Sequence, residues 1–384
     1  MENNWIVAKF GGSSVRDAQA MLRCCQIIEN NPKIKVVVIS ATQNTTNQLE
    51  TVSKTAQVGD GMGLELVVNE IINKHIYIAR ELFTSPAVLL ELEVLCGELK
   101  ALGALILKDR LCSPATMDEL NSLGERMSSL LFADLLRLRI PKKIVQLLDA
   151  RKIIKTNSDF QKAEPQIELI AKNCESQILP TINDETLFVT QGFIGSDSED
   201  CTTTLGREGS DYSATLIGEG VSASLVQIWT DVTGIASCDP RLVDEVKFIK
   251  TISYDEATAL ASLGAKVLFP STLLPTKRKN IPVFVGSSLY PDRGGTLITQ
   301  EHDCAFSLKA ISLLENKDGA FVSFVGTHID KKNDLKNILL SYLGADCFQF
   351  TKVNIHSITF KIDQSKLEKS LAIKKAHLAL SKFI

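Results

Sequence analysis

The chain has 384 residues, 45% of them apolar and 23% charged, with a formal net charge of −3. That length supports two or three cored domains of ordinary globular composition. The slight negative balance excludes a basic footprint for nucleic acid or an anionic membrane, and no apolar run approaches the roughly 20 residues that span a bilayer.

The N-terminus, Met1-Glu2-Asn3-Asn4, has no basic region and runs straight into a strand pattern over 5–10, so a cytoplasmic chain without signal peptide is expected. The strand ends in Lys9-Phe10-Gly11-Gly12-Ser13-Ser14, read as a tight glycine turn that opens a helix. Glycines let backbone approach an anion, a helix start offers free N–H groups, and Lys9 adds a full charge. The string is not a P-loop. A second strand, 34–41, leads into the hydroxyl-rich stretch Ser40–Asn47, which either contacts a ligand or caps the next helix.

Residues 62–139 read as almost wholly helical and end at Pro141. Gly124-Glu125-Arg126 is read as the start of a long helix, where Glu125 either meets a bound ammonium group or complements the helix dipole. Strand patterns follow at 143–148 and 186–194, then Thr202–Ala214, rich in glycine and hydroxyls, with a helix starting near Gly209. That segment is a second anion-ready helix terminus or an ordinary one capped by Ser210 or Asp211. Arg207 offers a planar fork for a carboxylate, and Asp211 an ion pair for a lysine. The strand 224–232 ends in Thr230-Asp231, and Asp239-Pro240-Arg241 and Gly264-Ala265-Lys266 lie beyond it. In an open parallel sheet, ligands sit past the carboxyl ends of strands. Further strands are read at 281–286 and 296–298, then a turn at 291–295 between them.

Continuous apolar strands alternating with helices predict a mainly parallel sheet covered on both faces. Residues 306–384 form a separate unit with the order β-β-α-β-β-α, a ferredoxin-like arrangement without phosphate loop or carboxylate cluster. It is expected to regulate or to form oligomers. Nine cysteines are scattered without C-x-x-C spacing, so reduced thiols are expected. Of five histidines, His75 is expected on a helix surface and four lie after residue 300, which argues against a histidine triad or a metal site.

Taken together, Lys9-Phe10-Gly11-Gly12-Ser13-Ser14-Val15, Gly124-Glu125, Gln191-Gly192-Phe193, Thr203-Thr204-Leu205-Gly206-Arg207, Gly209-Ser210-Asp211-Tyr212, Trp229-Thr230-Asp231-Val232, Asp239-Pro240-Arg241 and Gly264-Ala265-Lys266-Val267-Leu268 resemble the amino-acid kinase superfamily, and within it the aspartate kinases. The resemblance implies a three-layer αβα, mainly parallel catalytic domain over 1–300 and an ACT-like regulatory or dimerisation module over 301–384. It implies ATP-dependent phosphorylation of the side-chain carboxylate of L-aspartate, the first step toward lysine or diaminopimelate, threonine and methionine, with Mg²⁺ accompanying ATP. Lys9 and Asp211 would be catalytic. Thr46, Glu125, Arg207 and Ser210 would bind the amino acid. Lys9, Gly11, Gly12, Ser13, Thr230, Asp231, Arg241 and Lys266 would contact the nucleotide. A homodimer through the C-terminal module is expected, with neither nucleic acid nor membrane as partner. The alternatives are a related kinase for another carboxylate, or a catalytically weak amino-acid-binding regulator.

The chain departs from the family pattern in three places. Glu208 stands where glycine is usual, Ala236 where tyrosine is common, and Phe269 where histidine is common. The tail has room for one ACT module instead of the usual two, so weak inhibition by lysine or threonine is expected.

Overall fold

A computed structural model describes residues 4–265, 268–300 and 306–384, divided into two units. The first comprises the chain up to Asp231 together with Gly286–Asp292. Its elements are β1 (Ile6–Phe10), α1 (Ala18–Glu29), β2 (Ile34–Ile39), α2 (Thr45–Val58), α3 (Gly61–Glu81), α4 (Pro86–Asp109), α5 (Pro114–Arg139), β3 (Ile144–Leu148), α6 (Ala150–Ile153), α7 (Ile167–Gln177), β4 (Thr186–Gln191), β5 (Ile194–Ser196), β6 (Thr202–Thr204), α8 (Gly209–Gly220) and β7 (Leu225–Thr230). Five strands run in the order β3-β4-β2-β1-β7, every neighbouring pair parallel. Strands β1, β2 and β4 are buried along their whole length, as β-branched runs covered on both faces should be. Helix α5 packs on β2, β3 and β4, and α8 packs on β1 and β7. Phe10 stacks on Trp229 at 6.4 Å and tilts against Phe132 at 6.0 Å, so β1 is locked between β7 and α5.

The long helical stretch resolves into α3, α4 and α5. Pro86 and Pro114 open the last two, at positions where the missing N–H costs nothing. The Ser113 hydroxyl accepts from the Thr116 amide and caps α5. Two boundaries differ from the sequence reading. The glycine turn does not open a helix: α1 starts at Ala18, where the Asp17 carboxylate accepts from the Ala20 amide at 2.7 Å. Glu125 is not at a helix start either but mid-way along α5, so its presence is no dipole effect. A proline N1 and a good serine cap upstream, at 113–114, set the true start.

The second unit contains Val232–Val285 and Arg293–Ile384. Here β8 (Thr251–Ser253), α9 (Tyr254–Ser262), α10 (Pro270–Arg278), β9 (Val283–Ser287) and β10 (Gly295–Thr299) precede β11 (Ser307–Asn316), β12 (Gly319–Thr327), α11 (Leu335–Leu343), β13 (Phe348–Asn354), β14 (Ser357–Ile362) and α12 (Lys369–Leu380). Strand β9 ends within the first unit, and β10 pairs with β8 in parallel. The last four strands form an antiparallel sheet, β11-β12-β14-β13. Leu308, Val322, Phe324, Leu339, Phe360 and Ala376 share its core with both helices. The β-β-α-β-β-α order expected from sequence is therefore the one observed. Glu256, in a capping box with Ser253, also accepts from Lys309 at 2.7 Å and Thr327 at 2.6 Å, which ties α9 to β11 and β12.

Candidate active site

Three chain segments converge at the ends of β1 and β2. The first is the turn after β1. Gly11 N donates to Trp229 O at 3.0 Å, and the amides of Ser14 and Val15 turn back to Gly11 O. Ser14 Oγ lies 2.6 Å from Ser288 Oγ and 3.3 Å from Trp229 O, so the turn is pinned to the end of β7. The amides of Gly12 and Ser13 donate to no backbone carbonyl among the described residues, which leaves them for an anion. Without a helix start, the turn's own N–H groups and Lys9 carry that capacity.

The second segment is the loop from β2 to α2. Its Gln43 amide donates to Gly12 O at 3.1 Å. A Cβ on Gly12 would lie 2.9 Å from Ala41 O, so only glycine lets the two loops approach this closely. The third is the loop from β6 into α8. A Cβ on Gly192 would lie 2.6 Å from the Ser210 Cβ, so this glycine seats the start of α8 against the end of β4. Neither Ser210 nor Asp211 caps α8. The N-cap is Glu208, left-handed at φ 56° and without a side-chain capping bond, which leaves Ser210 and Asp211 in the helix's first turn.

The cleft between these segments has a volume of about 850 Å³. Lys9, Gly12, Thr46, Glu125, Arg207, Ser210 and Asp211 all line it. Lys9 Nζ lies 2.5 Å from Asp211 Oδ1, and both side chains are nearly buried. A buried, paired lysine of this kind is a fixed positive charge with little freedom to reorient. Glu125 is only 3% exposed, and its Oε2 has no hydrogen-bond partner. Burial pushes its carboxyl up to about 8, against the opposing influence of the Ala41 amide and the Lys9 charge. Such a group, at the wall of a cleft, is incomplete without a donor.

Of the remaining residues singled out from sequence, Gly11 and Ser13 sit in the same turn as Gly12 but do not line the cleft. Thr230 ends β7, the strand beside β1, and donates through Oγ1 to Asp231, the next residue, at 3.1 Å. Arg241 belongs to the second unit, where its Nε donates to Asp239 at 2.9 Å. Lys266 lies outside the described residues.

Sequence reasoning missed three contributors. Asn121 lies one helical turn before Glu125 on the same face of α5, lines the cleft, and has an unpartnered Oδ1. Its spacing of four from Glu125 was the available signal. Asp118, one turn earlier, is fully buried and accepts from the Gln161 amide, the Thr204 amide and Thr204 Oγ1, each at 2.8 Å. It holds two walls of the cleft to α5. His75 is not on a helix surface but completely buried. Its two ring nitrogens both find partners, Ile71 O at 2.8 Å and Thr42 Oγ1 at 3.3 Å, which makes that burial tolerable.

The amino acid kinase family model matches residues 4–287. The lysine-sensitive aspartokinase 3 of Escherichia coli is 42% identical over 81% of this chain and 68% of its own length. The aspartokinase of Chlamydia muridarum is 33% identical over 83% of this chain and 70% of its own. Among solved structures, E. coli aspartokinase III in complex with aspartate and ADP superposes with a TM-score of 0.86 at 31% identity, covering 98% of this chain and all of that one. The same enzyme with lysine and aspartate gives 0.74 at 36% identity, over 99% of this chain and 83% of that one. The chain belongs to the amino acid kinase family, in its aspartokinase branch.

Proposed function

We propose that this chain transfers the γ-phosphoryl group of ATP to the side-chain carboxylate of L-aspartate, giving 4-phospho-L-aspartate and ADP for amino-acid biosynthesis. The observation that carries the reading is one cleft holding four complementary ionisable groups: Arg207, Glu125, and the Lys9–Asp211 pair. A zwitterionic amino acid needs one cationic and one anionic partner. Arg207 is suited to the α-carboxylate, and Glu125, helped by Asn121, to the α-ammonium; Thr46 and Ser210 supply hydroxyls beside them. The acceptor carboxylate is ionised at neutral pH, because its pKa is about 3.9. No general base is required. The carboxylate oxygen attacks phosphorus, the bond to the β-phosphate bridging oxygen breaks, and ADP leaves with that electron pair. Lys9 offsets the charge on the transferring group, and Asp211 holds Lys9 in place. Gly11, Gly12 and Ser13 would cradle phosphates through their backbone, with Thr230 and Asp231 contributing to the nucleotide site.

Mg²⁺ belongs to this reading as the companion of ATP. Such an ion would be carried in mainly by phosphate oxygens and water. It would add charge neutralisation at the phosphates. The division into a catalytic domain, 1–300, and an ACT-like module, 301–384, is part of the proposal, as is pairing of two copies through the module. Light scattering of the purified chain tests the pairing, and a strictly monomeric mass would remove it.

The deciding assay is ADP release with L-aspartate, L-glutamate and N-acetylglutamate in parallel. Turnover with aspartate alone is the expected outcome. Turnover with another carboxylate, or none, would replace the reading by a related kinase or by an amino-acid-binding regulator.

A further inference from the structure

Behind the cleft, the loop from β2 to α2 is tied to α3 by a row of side chains that runs from half-buried Lys74 to fully buried His75. Lys74 Nζ donates to Gln43 O and, at 2.9 Å, to Thr45 Oγ1. Thr45 Oγ1 lies 2.6 Å from Thr42 Oγ1, which lies 3.3 Å from His75 Nε2. His75 Nδ1 lies 2.8 Å from Ile71 O. The ends of this row fix its direction. A carbonyl can only accept, so the proton of the ring sits on Nδ1 and Nε2 is bare. Thr42 must then donate to Nε2 and accept from Thr45, and Thr45 must accept from Lys74. Every hydroxyl proton has one destination. Burial pushes the imidazole down to about 4, so the ring stays neutral and the direction holds.

We propose that Lys74 and His75 are positioning residues for the amino-acid substrate: through this single polarised chain they hold the loop 40–47 in the shape that presents Thr46 and its neighbours to the cleft. The loop needs such support. Asn44, the N-cap of α2, is left-handed at φ 66° and makes no side-chain capping bond. An αL asparagine is tolerated but does not secure a helix start by itself. Ser40, Ala41, Thr42, Gln43, Asn44, Thr46 and Asn47 all line the cleft, so movement of the loop moves one whole wall. Lys74 has no carboxylate partner among the described residues; both its acceptors are neutral loop oxygens. Its charge is therefore committed to the loop rather than to a surface ion pair.

The inference rests on the aspartate reading for its kinetic test but not for its structural one. Lys74→Met and His75→Leu are each expected to raise the KM for aspartate about tenfold, the worth of one buried hydrogen bond. The KM for ATP is expected to move less than that for aspartate, although the Gln43 amide also ties this loop to Gly12, and kcat to change less than about twofold. His75→Gln, which returns an acceptor toward Thr42, should recover most of the loss, and the double variant should be no worse than about the worse single one, because one chain is broken either way. Hydrogen exchange at the amides of 41–47 without any substrate should quicken in Lys74→Met and His75→Leu and stay unchanged in the strand β4. Unchanged loop exchange, or a KM for ATP that moves as much as that for aspartate, overturns the proposal. Faster loop exchange in an enzyme that ignores aspartate overturns the substrate reading and leaves the positioning chain standing.

Discussion

Glu125→Gln separates binding from stability in opposite directions. In the empty cleft the carboxyl titrates at about 8, well above its ordinary 4.5, because it is buried. The folded chain therefore holds a proton that the unfolded chain releases once the pH passes the ordinary value. Stability from this group is fully present below pH 4.5 and is lost as pH rises toward 8. At pH 7 the accumulated loss is on the order of 3 kcal/mol, from about 1.4 kcal/mol for each pH unit. Glutamine has no such cost, so the variant should melt higher at pH 7–8 by about 5 °C and converge with the wild type near pH 4.5. Binding moves the other way. An ammonium ligand requires the ionised carboxylate, so wild-type affinity for aspartate should tighten roughly tenfold per pH unit up to the titration near 8, with about one proton released per molecule bound. Calorimetry in two buffers of different ionisation enthalpy reads that proton directly. A flat affinity between pH 6 and 8 without proton release would refute the reasoning, as would a glutamine variant that binds aspartate normally.

Lys9→Met removes the charge beside the transferring group and should lower kcat about 100- to 1,000-fold; a steady-state rate within threefold of wild type would exclude the assigned role. Arg207→Lys keeps the charge but loses the planar fork, so the KM for aspartate should rise about tenfold with the KM for ATP unchanged; equal shifts in both would argue against a carboxylate contact. Glu208→Gly relieves a left-handed non-glycine residue and should raise the stability by about 1 kcal/mol, read as a later urea midpoint. No gain would mean that contacts of the Glu208 side chain offset the backbone strain.

Local pattern reached far in this chain. The Lys9–Ser14 turn, the helical block, the Thr202–Ala214 loop and the β-β-α-β-β-α tail were legible because glycine spacing and apolar runs report backbone demands directly. Helix starts were less so. Residues 12–17 turn without becoming helical, since the Asp17 cap defers the helix to Ala18. Glu125 reads as a first-turn residue until the proline and serine upstream are seen to open α5. His75 was misplaced although its spacing put it on the apolar stripe of α3 with Ile71, Ile72 and Ile78; only its partner in the loop after β2 needed the tertiary structure.

The sequence by itself determined which groups exist at strand ends and loop starts: the lysine, the arginine fork, the acids, and the glycines that allow backbone to come close. Only the tertiary structure decided that Lys9 on β1 meets Asp211 on α8, that Glu125 lies buried with an empty oxygen, and that Asn121 joins it. The physical reason is that charge type and backbone freedom are local properties, whereas desolvation and pairing arise only when distant segments pack together.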